Sequence, residues 1–152
     1  MKKLFYLIGY PASGKTTLAK SLKETGRVDY VSTDDVFETL YKQGLKYSEI
    51  LAKRNLLMIS DILTKGQKCK NIILDTYTPY KDERAQILRF IPPTYEKIAV
   101  IMDTDKNECI RRFIKRGKLK KGDIPGFANE NIDEPDLEEF DRIIRSTDGL
   151  LR

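Results

Sequence analysis

The chemistry most specific to this chain lies in eight consecutive residues, Gly9-Tyr10-Pro11-Ala12-Ser13-Gly14-Lys15-Thr16. They satisfy the pattern G-x-x-x-x-G-K-[ST], in which backbone N–H groups wrap a phosphate chain, the lysine reaches the β- and γ-phosphate oxygens and the hydroxyl ligates Mg2+. The pattern has this meaning between a strand and a helix, and both flanks are present. Leu4-Phe5-Tyr6-Leu7-Ile8 is a short apolar run of buried-strand type, and Thr17-Leu18-Ala19-Lys20-Ser21-Leu22 continues as a helix. Such a helix adds the positive end of its dipole to the site. Gly9, Pro11, Ala12, Ser13, Gly14, Lys15, Thr16 and Thr17 are therefore expected to bind a nucleoside triphosphate together with Mg2+.

Carboxylates recur where other strands should end. The segment 28–32 reads as a short strand followed by Asp34-Asp35, and Ile72-Ile73-Leu74 runs directly into Asp75. Ligands of open parallel sheets sit beyond the carboxyl ends of the strands, so these acids and the glycine-bounded loop should meet. Asp75 is expected to hold Mg2+, directly or through water, beside Thr16. The chain contains no histidine, so a general base must be a carboxylate, or else Lys, Tyr or Cys. Asp34 is the candidate base, with Asp35 capping a helix that starts at Val36 or standing in as a second base. Arg112 and Arg116 are four apart, on one face of a helix that leads into a basic, glycine-punctuated segment. Arg116 is the candidate to neutralise charge on a transferring phosphoryl group.

The elements that must position these groups alternate. Strands are expected at 4–8, 28–32, 71–75, 97–102 and within 141–146. Helices are expected over 15–24 closed by Gly26, 36–41, 47–65, 81–90 and 109–116, the last capped by Asp105. In the longest helix Leu51, Met58 and Ile62 should share the buried face. This order predicts an α/β fold of P-loop NTPase type: a parallel sheet with helices on both faces, in one domain over 1–152 with a mobile lid near 115–126.

Composition agrees with a soluble globular protein and argues against other classes. Apolar residues make up 40% and charged residues 34% of 152 positions, and no apolar run approaches the length of a membrane span. Met1 to Ile8 mimics an export leader, but the run breaks at Gly9 and Pro11, and cleavage there would destroy the phosphate loop. Cys69 and Cys109 stand alone, as free thiols in a reducing, cytoplasmic setting would. A net charge of +5 suits an anionic partner. The basic block 111–121 and the acidic block 130–141 read as two solvated faces of opposite sign, in a position to face each other.

Taken in order, GYPASGKTT (9–17), Asp34-Asp35, NIILDT (71–76), Arg112 and Lys115-Arg116-Gly117 resemble the kinase module of polynucleotide 5′-hydroxyl kinases. Glu134-Pro135-Asp136-Leu137-Glu138-Glu139-Phe140-Asp141 is similar to a stretch near that module's C-terminus, with a glycine missing. The resemblance implies ATP-dependent phosphorylation of a hydroxyl on DNA or RNA, with Asp34 as base, Lys15 and Thr16 on phosphate and metal, Arg116 as the lid residue and Arg112 as a supporting contact to the bound nucleotide. It departs at Phe37, where the family has an arginine that holds an acceptor phosphate. That departure leaves open a hydroxyl carried on a base within DNA, or a free nucleoside or nucleotide.

Overall fold

The computed structural model describes residues 1–146; residues 147–152 of the expected domain lie outside the described residues. Five strands, β1 (Lys2–Ile8), β2 (Asp29–Ser32), β3 (Asn71–Asp75), β4 (Tyr95–Ile101) and β5 (Arg142–Arg145), form one sheet in the order β2-β3-β1-β4-β5. Every pairing is parallel. Five α-helices connect or follow them: α1 (Lys15–Glu24), α2 (Thr33–Lys42), α3 (Tyr47–Lys65), α4 (Lys81–Leu88) and α5 (Lys106–Lys115).

The unbroken apolar run of β1 is explained by burial on both faces. Its Leu4, Tyr6 and Ile8 pack with Val36 and Leu40 of α2, Met58 and Ile62 of α3, and Ile87 of α4. The alternate residues Phe5 and Leu7 join Ile73, Ile98, Val100 and Ala19 of α1 in a separate cluster. The α/β architecture with helices on both faces is thus as the alternation of elements predicts.

Three local features differ from the sequence reading. Helix α2 starts at Thr33 rather than Val36, because Ser32 adopts extended backbone and its side chain accepts the Asp35 N–H at 3.1 Å. Asp35 is therefore inside the first turn, and Ser32 is the cap. On α3 the buried face is Ile50, Met58, Ile59 and Ile62, whereas Leu51 is 43% exposed. The acidic block engages α4 rather than the basic block. Arg84, fully buried, donates Nε and Nη2 to the two carboxylate oxygens of Glu139 at 2.9 and 3.2 Å, and Nη1 to the Pro79 carbonyl at 3.3 Å. Lys81 pairs with Asp136 at 2.6 Å, and Phe140 meets Tyr6 edge to face at 5.6 Å. The 134–141 segment is thereby fastened to the core. Among the described residues no helix is long and apolar enough to cross a membrane.

Between α5 and a short 3-10 turn, Gly126–Asn129, the chain carries no helix or strand and is largely exposed. Its far end is anchored: Phe127 is buried against Phe113 of α5 at 5.4 Å and Tyr10 of the loop at 5.9 Å.

Candidate active site

Strand order decides what meets at the carboxyl edge of the sheet. Because β3 lies between β1 and β2, Asp75 stands in register with Leu7 on one side and Ser32 on the other. The phosphate loop leaves β1 one residue after Ile8, and α2 begins directly after Ser32, so both flank the Asp75 carboxylate. A cleft of about 430 Å3 opens there, lined by Pro11, Ala12, Gly14, Lys15, Thr16, Thr17, Asp34, Asp75 and Arg116 among others.

The two loop glycines serve different ends. At Gly9 a β-carbon would lie 2.6 Å from Ser13 Oγ and 2.9 Å from Met102, so the backbone needs the close approach. Gly14 has φ +99°, a left-handed conformation at the helix N-cap. Ala12 is left-handed as well, at φ 66°, the one non-glycine with positive φ among the described residues, a strained conformation of the sort that clusters at ligand clamps. With Ser13 N–H turned back onto the Tyr10 carbonyl at 3.1 Å, the loop curls tightly ahead of α1. The N–H groups of Lys15, Thr16 and Thr17, at the first three helical positions, have no intrahelical acceptor and are available to an anion.

Lys15 folds back over this loop. Its Nζ donates to the carbonyls of Gly9 at 2.8 Å and Tyr10 at 2.9 Å, and only 6% of the residue is exposed. Burial pulls its pKa down to about 8, against the opposing pull of Asp75, Cys109 and Asp34. Thr16 donates its hydroxyl to Asp75 Oδ2 at 2.6 Å. Asp75 is itself buried, which raises its pKa, while the Thr16 hydrogen bond and Lys15 oppose the rise. A hydroxyl and a carboxylate oxygen this close are hard ligands suited to Mg2+. No group of three or more His, Cys, Asp or Glu side chains suited to a metal occurs among the described residues. The remaining ligands of a cation here would have to be phosphate oxygens and water, the usual arrangement for Mg2+.

The other expected residues divide. Asp34 lines the cleft with Lys15 and acts electrostatically on it, whereas Asp35 lines a separate groove between α2 and α3. Arg116, the C-cap of α5, reaches the cleft together with Lys118. Arg112 does not line it: Nε donates to Glu108 at 3.0 Å and Nη1 to the Ala12 carbonyl at 3.4 Å, so it braces the loop from behind. Arg111 and Arg112 together draw the Glu108 carboxyl down to about 2. Gly9 and Ser13 do not line the cleft and shape the loop, Ser13 with its Oγ buried and without a hydrogen-bond partner among the described residues. The cleft also contains Thr33, which donates to Thr76 at 2.6 Å, together with Tyr77, Phe113 and Arg54. Nothing in the chain order marks Arg54, one cation among polar neighbours on a long amphipathic helix.

Comparison with known proteins agrees with the fold. A family profile described as an AAA domain, AAA_33, matches residues 4–142. The adenylate kinase of Campylobacter curvus is 28% identical over 135 residues, which cover 81% of this chain and 72% of that protein. The chain spans about 60% of the length of several further adenylate kinases. Among solved structures, the Mycobacterium tuberculosis APS kinase CysC in complex with AMPPNP and APS superposes with a TM-score of 0.66 at 20% identity, over 97% of this chain and 90% of the other. A chain of the Pnkp1/Rnl/Hen1 RNA repair complex superposes with a TM-score of 0.67 at 20% identity, over 84% of this chain and 41% of the other.

Proposed function

This chain belongs to the AAA domain family and has the fold of its P-loop kinases, and from that premise we propose that it transfers the γ-phosphoryl group of ATP to a hydroxyl of a nucleic acid. The observation that carries the reading is the shared cleft of Lys15, the Thr16–Asp75 pair, Asp34 and Arg116. One site then offers a phosphate cradle, a cation position, a proton acceptor and an arginine from the end of α5.

In the proposed reaction the acceptor hydroxyl oxygen bonds to the γ-phosphorus as the bond from that phosphorus to the β,γ-bridging oxygen breaks. The bridging oxygen leaves on ADP with the bonding electron pair, and the hydroxyl proton passes to the Asp34 carboxylate and on to solvent. Lys15 and Arg116 neutralise oxygens that gain charge during transfer. Thr16 and Asp75 would hold Mg2+, which supplies charge neutralisation and orients the phosphates.

Asp34 favours a hydroxyl over a phosphate as acceptor. A phosphate arrives ionised, needs no base and would be repelled by a carboxylate beside the reacting oxygen. The likeness to polynucleotide 5′-hydroxyl kinases in the ordered motifs supports a 5′-hydroxyl end, and the similarity to the RNA repair complex chain supports it in shape. A second reading, a free-nucleotide kinase, draws on the adenylate kinase similarity.

The test offers γ-labelled ATP and Mg2+ with a 5′-hydroxyl oligonucleotide, a hydroxymethylated duplex, free nucleosides and nucleoside monophosphates side by side. Label on the 5′-hydroxyl oligonucleotide, reduced roughly 10²-fold or more in Asp34→Asn with ATP binding intact, is the expected result. Label confined to the monophosphates overturns the reading, and normal transfer by Asp34→Asn overturns the choice of base.

A further inference from the structure

Among the residues lining the cleft stands a cation without a counter-charge. Arg54 reaches the cleft from α3, while Arg116 and Lys118 come from the end of α5. Its Nε is buried and has no hydrogen-bond partner among the described residues, and no carboxylate pairs with its guanidinium there. A buried guanidinium N–H left unpaired is costly, and the cost is removed when a ligand anion arrives. The donor triphosphate already has Lys15, the loop N–H groups and Arg116 to meet it. Arg54 shares the cleft with Asp34, on the helix packed against the one that carries the base.

Leading away from this pair is an aromatic track. Phe37, one turn after Asp34 on α2, lies 6.1 Å from Tyr41 and 6.0 Å from Tyr47, ring centre to ring centre. Tyr41 and Tyr47, both against Phe37, are 50% and 59% exposed. Tyr47 precedes Arg54 by seven residues, hence on the same face of α3. Asp34 to Tyr41 and Arg54 to Tyr47 each span about 10 Å of helix, the length of two to three nucleotide steps of about 3.4 Å.

We propose that Arg54 and the Phe37–Tyr41–Tyr47 trio form the acceptor subsite for a single-stranded polynucleotide end, Arg54 holding the phosphate nearest the reacting hydroxyl and the tyrosines stacking the next bases. The charge that a phosphate contact needs comes from α3, and the position three residues after the base, Phe37, becomes part of a stacking surface. Stacking on aromatic faces is tolerant of base identity, so the subsite reads chain and phosphate rather than sequence. The inference rests on the hydroxyl-kinase reading of the same cleft.

The test compares KM for a nucleoside, its 3′-monophosphate and 5′-hydroxyl oligonucleotides of two to four residues, in the wild type, Arg54→Gln and Tyr47→Ala. In the wild type, adding the 3′-phosphate lowers KM roughly 10- to 100-fold, the effect of a charge-assisted contact. Arg54→Gln removes that gain and leaves KM for ATP unchanged, a split that a merely structural arginine would not produce. Tyr47→Ala keeps the phosphate gain but loses roughly 5- to 100-fold of the gain from added nucleotides. Equal wild-type KM for nucleoside and 3′-monophosphate overturns the subsite, as does Arg54→Gln acting on the KM for ATP instead. Transfer to none of these acceptors refutes the hydroxyl-kinase reading itself and is a separate outcome.

Discussion

Lys15 makes nucleotide affinity depend on pH in a direction that can be worked out. In the free protein its ammonium is held by two carbonyls in a buried site, and its pKa falls from 10.5 to about 8. A bound triphosphate places several negative charges beside it and returns the pKa to its ordinary range or above. The complex therefore binds more protons than the free protein above pH 8, and affinity falls as pH rises. With a pKa of about 8 the free lysine is ~90% charged at pH 7 and ~10% charged at pH 9, so affinity should weaken about tenfold across that interval, or about 1.4 kcal/mol. Burial pushes the neighbouring Cys109 thiol and Tyr77 phenol upward, away from the window. Titration calorimetry with Mg2+ and a non-hydrolysable ATP analogue, in buffers of different ionisation enthalpy, reads both affinity and proton uptake. Uptake should approach one proton per site at pH 9 and vanish near pH 7. Lys15→Arg, charged throughout, should flatten the profile. Equal affinity at pH 7 and 9, or an unchanged slope in Lys15→Arg, would refute the account.

Three further outcomes follow from the same geometry. Lys15→Met should stabilise the ligand-free protein, by up to about 3 kcal/mol from the relieved burial of charge, while abolishing the thermal shift caused by ATP; a lower melting temperature without ligand contradicts this. Arg116→Ala should reduce kcat about 10³-fold with little effect on folding, since its side chain reaches the cleft from an exposed helix end; steady-state kinetics alongside a melting curve check both halves. Arg84→Met should cost about 3–5 kcal/mol in urea unfolding, because it leaves Glu139 buried without its partner, and a loss under 1 kcal/mol would show that the 134–141 segment is not fastened as described.

Much of the site was legible because its parts are local. A left-handed residue at 14, an anion-facing helix start and a lysine one residue later are all specified within eight positions, so the motif carries its own geometry. Strand β3 and helices α1 and α3 were legible to their ends, since continuous apolar runs and glycine stops act over a few residues. Assignments that depended on competition between neighbours came out differently. Ser32 and Asp35 can both cap a helix, and the extended backbone at the end of β2 gave the role to Ser32. Leu51 and Ile50 are both apolar, and packing against the core buried Ile50 and left Leu51 exposed. Arg112 and Arg116 lie four apart, but only Arg116, at the end of α5, reaches past the loop into the cleft.

Taken alone, the amino-acid order determined a phosphate loop between strand and helix, an α/β alternation, and carboxylates at strand ends with no histidine to share their work. These are properties of short windows, where backbone sterics and hydrophobic period act. The folded chain alone decided that β3 inserts between β1 and β2, which brings Asp75 against Thr16 and Asp34 into the cleft of Lys15. It also decided that the acidic block closes on a buried arginine and that Arg54 lines the same cleft with its Nε lacking a hydrogen-bond partner among the described residues. Such pairings join positions tens of residues apart. They are set by which strand edges and helix faces bury together, and no local window contains that choice.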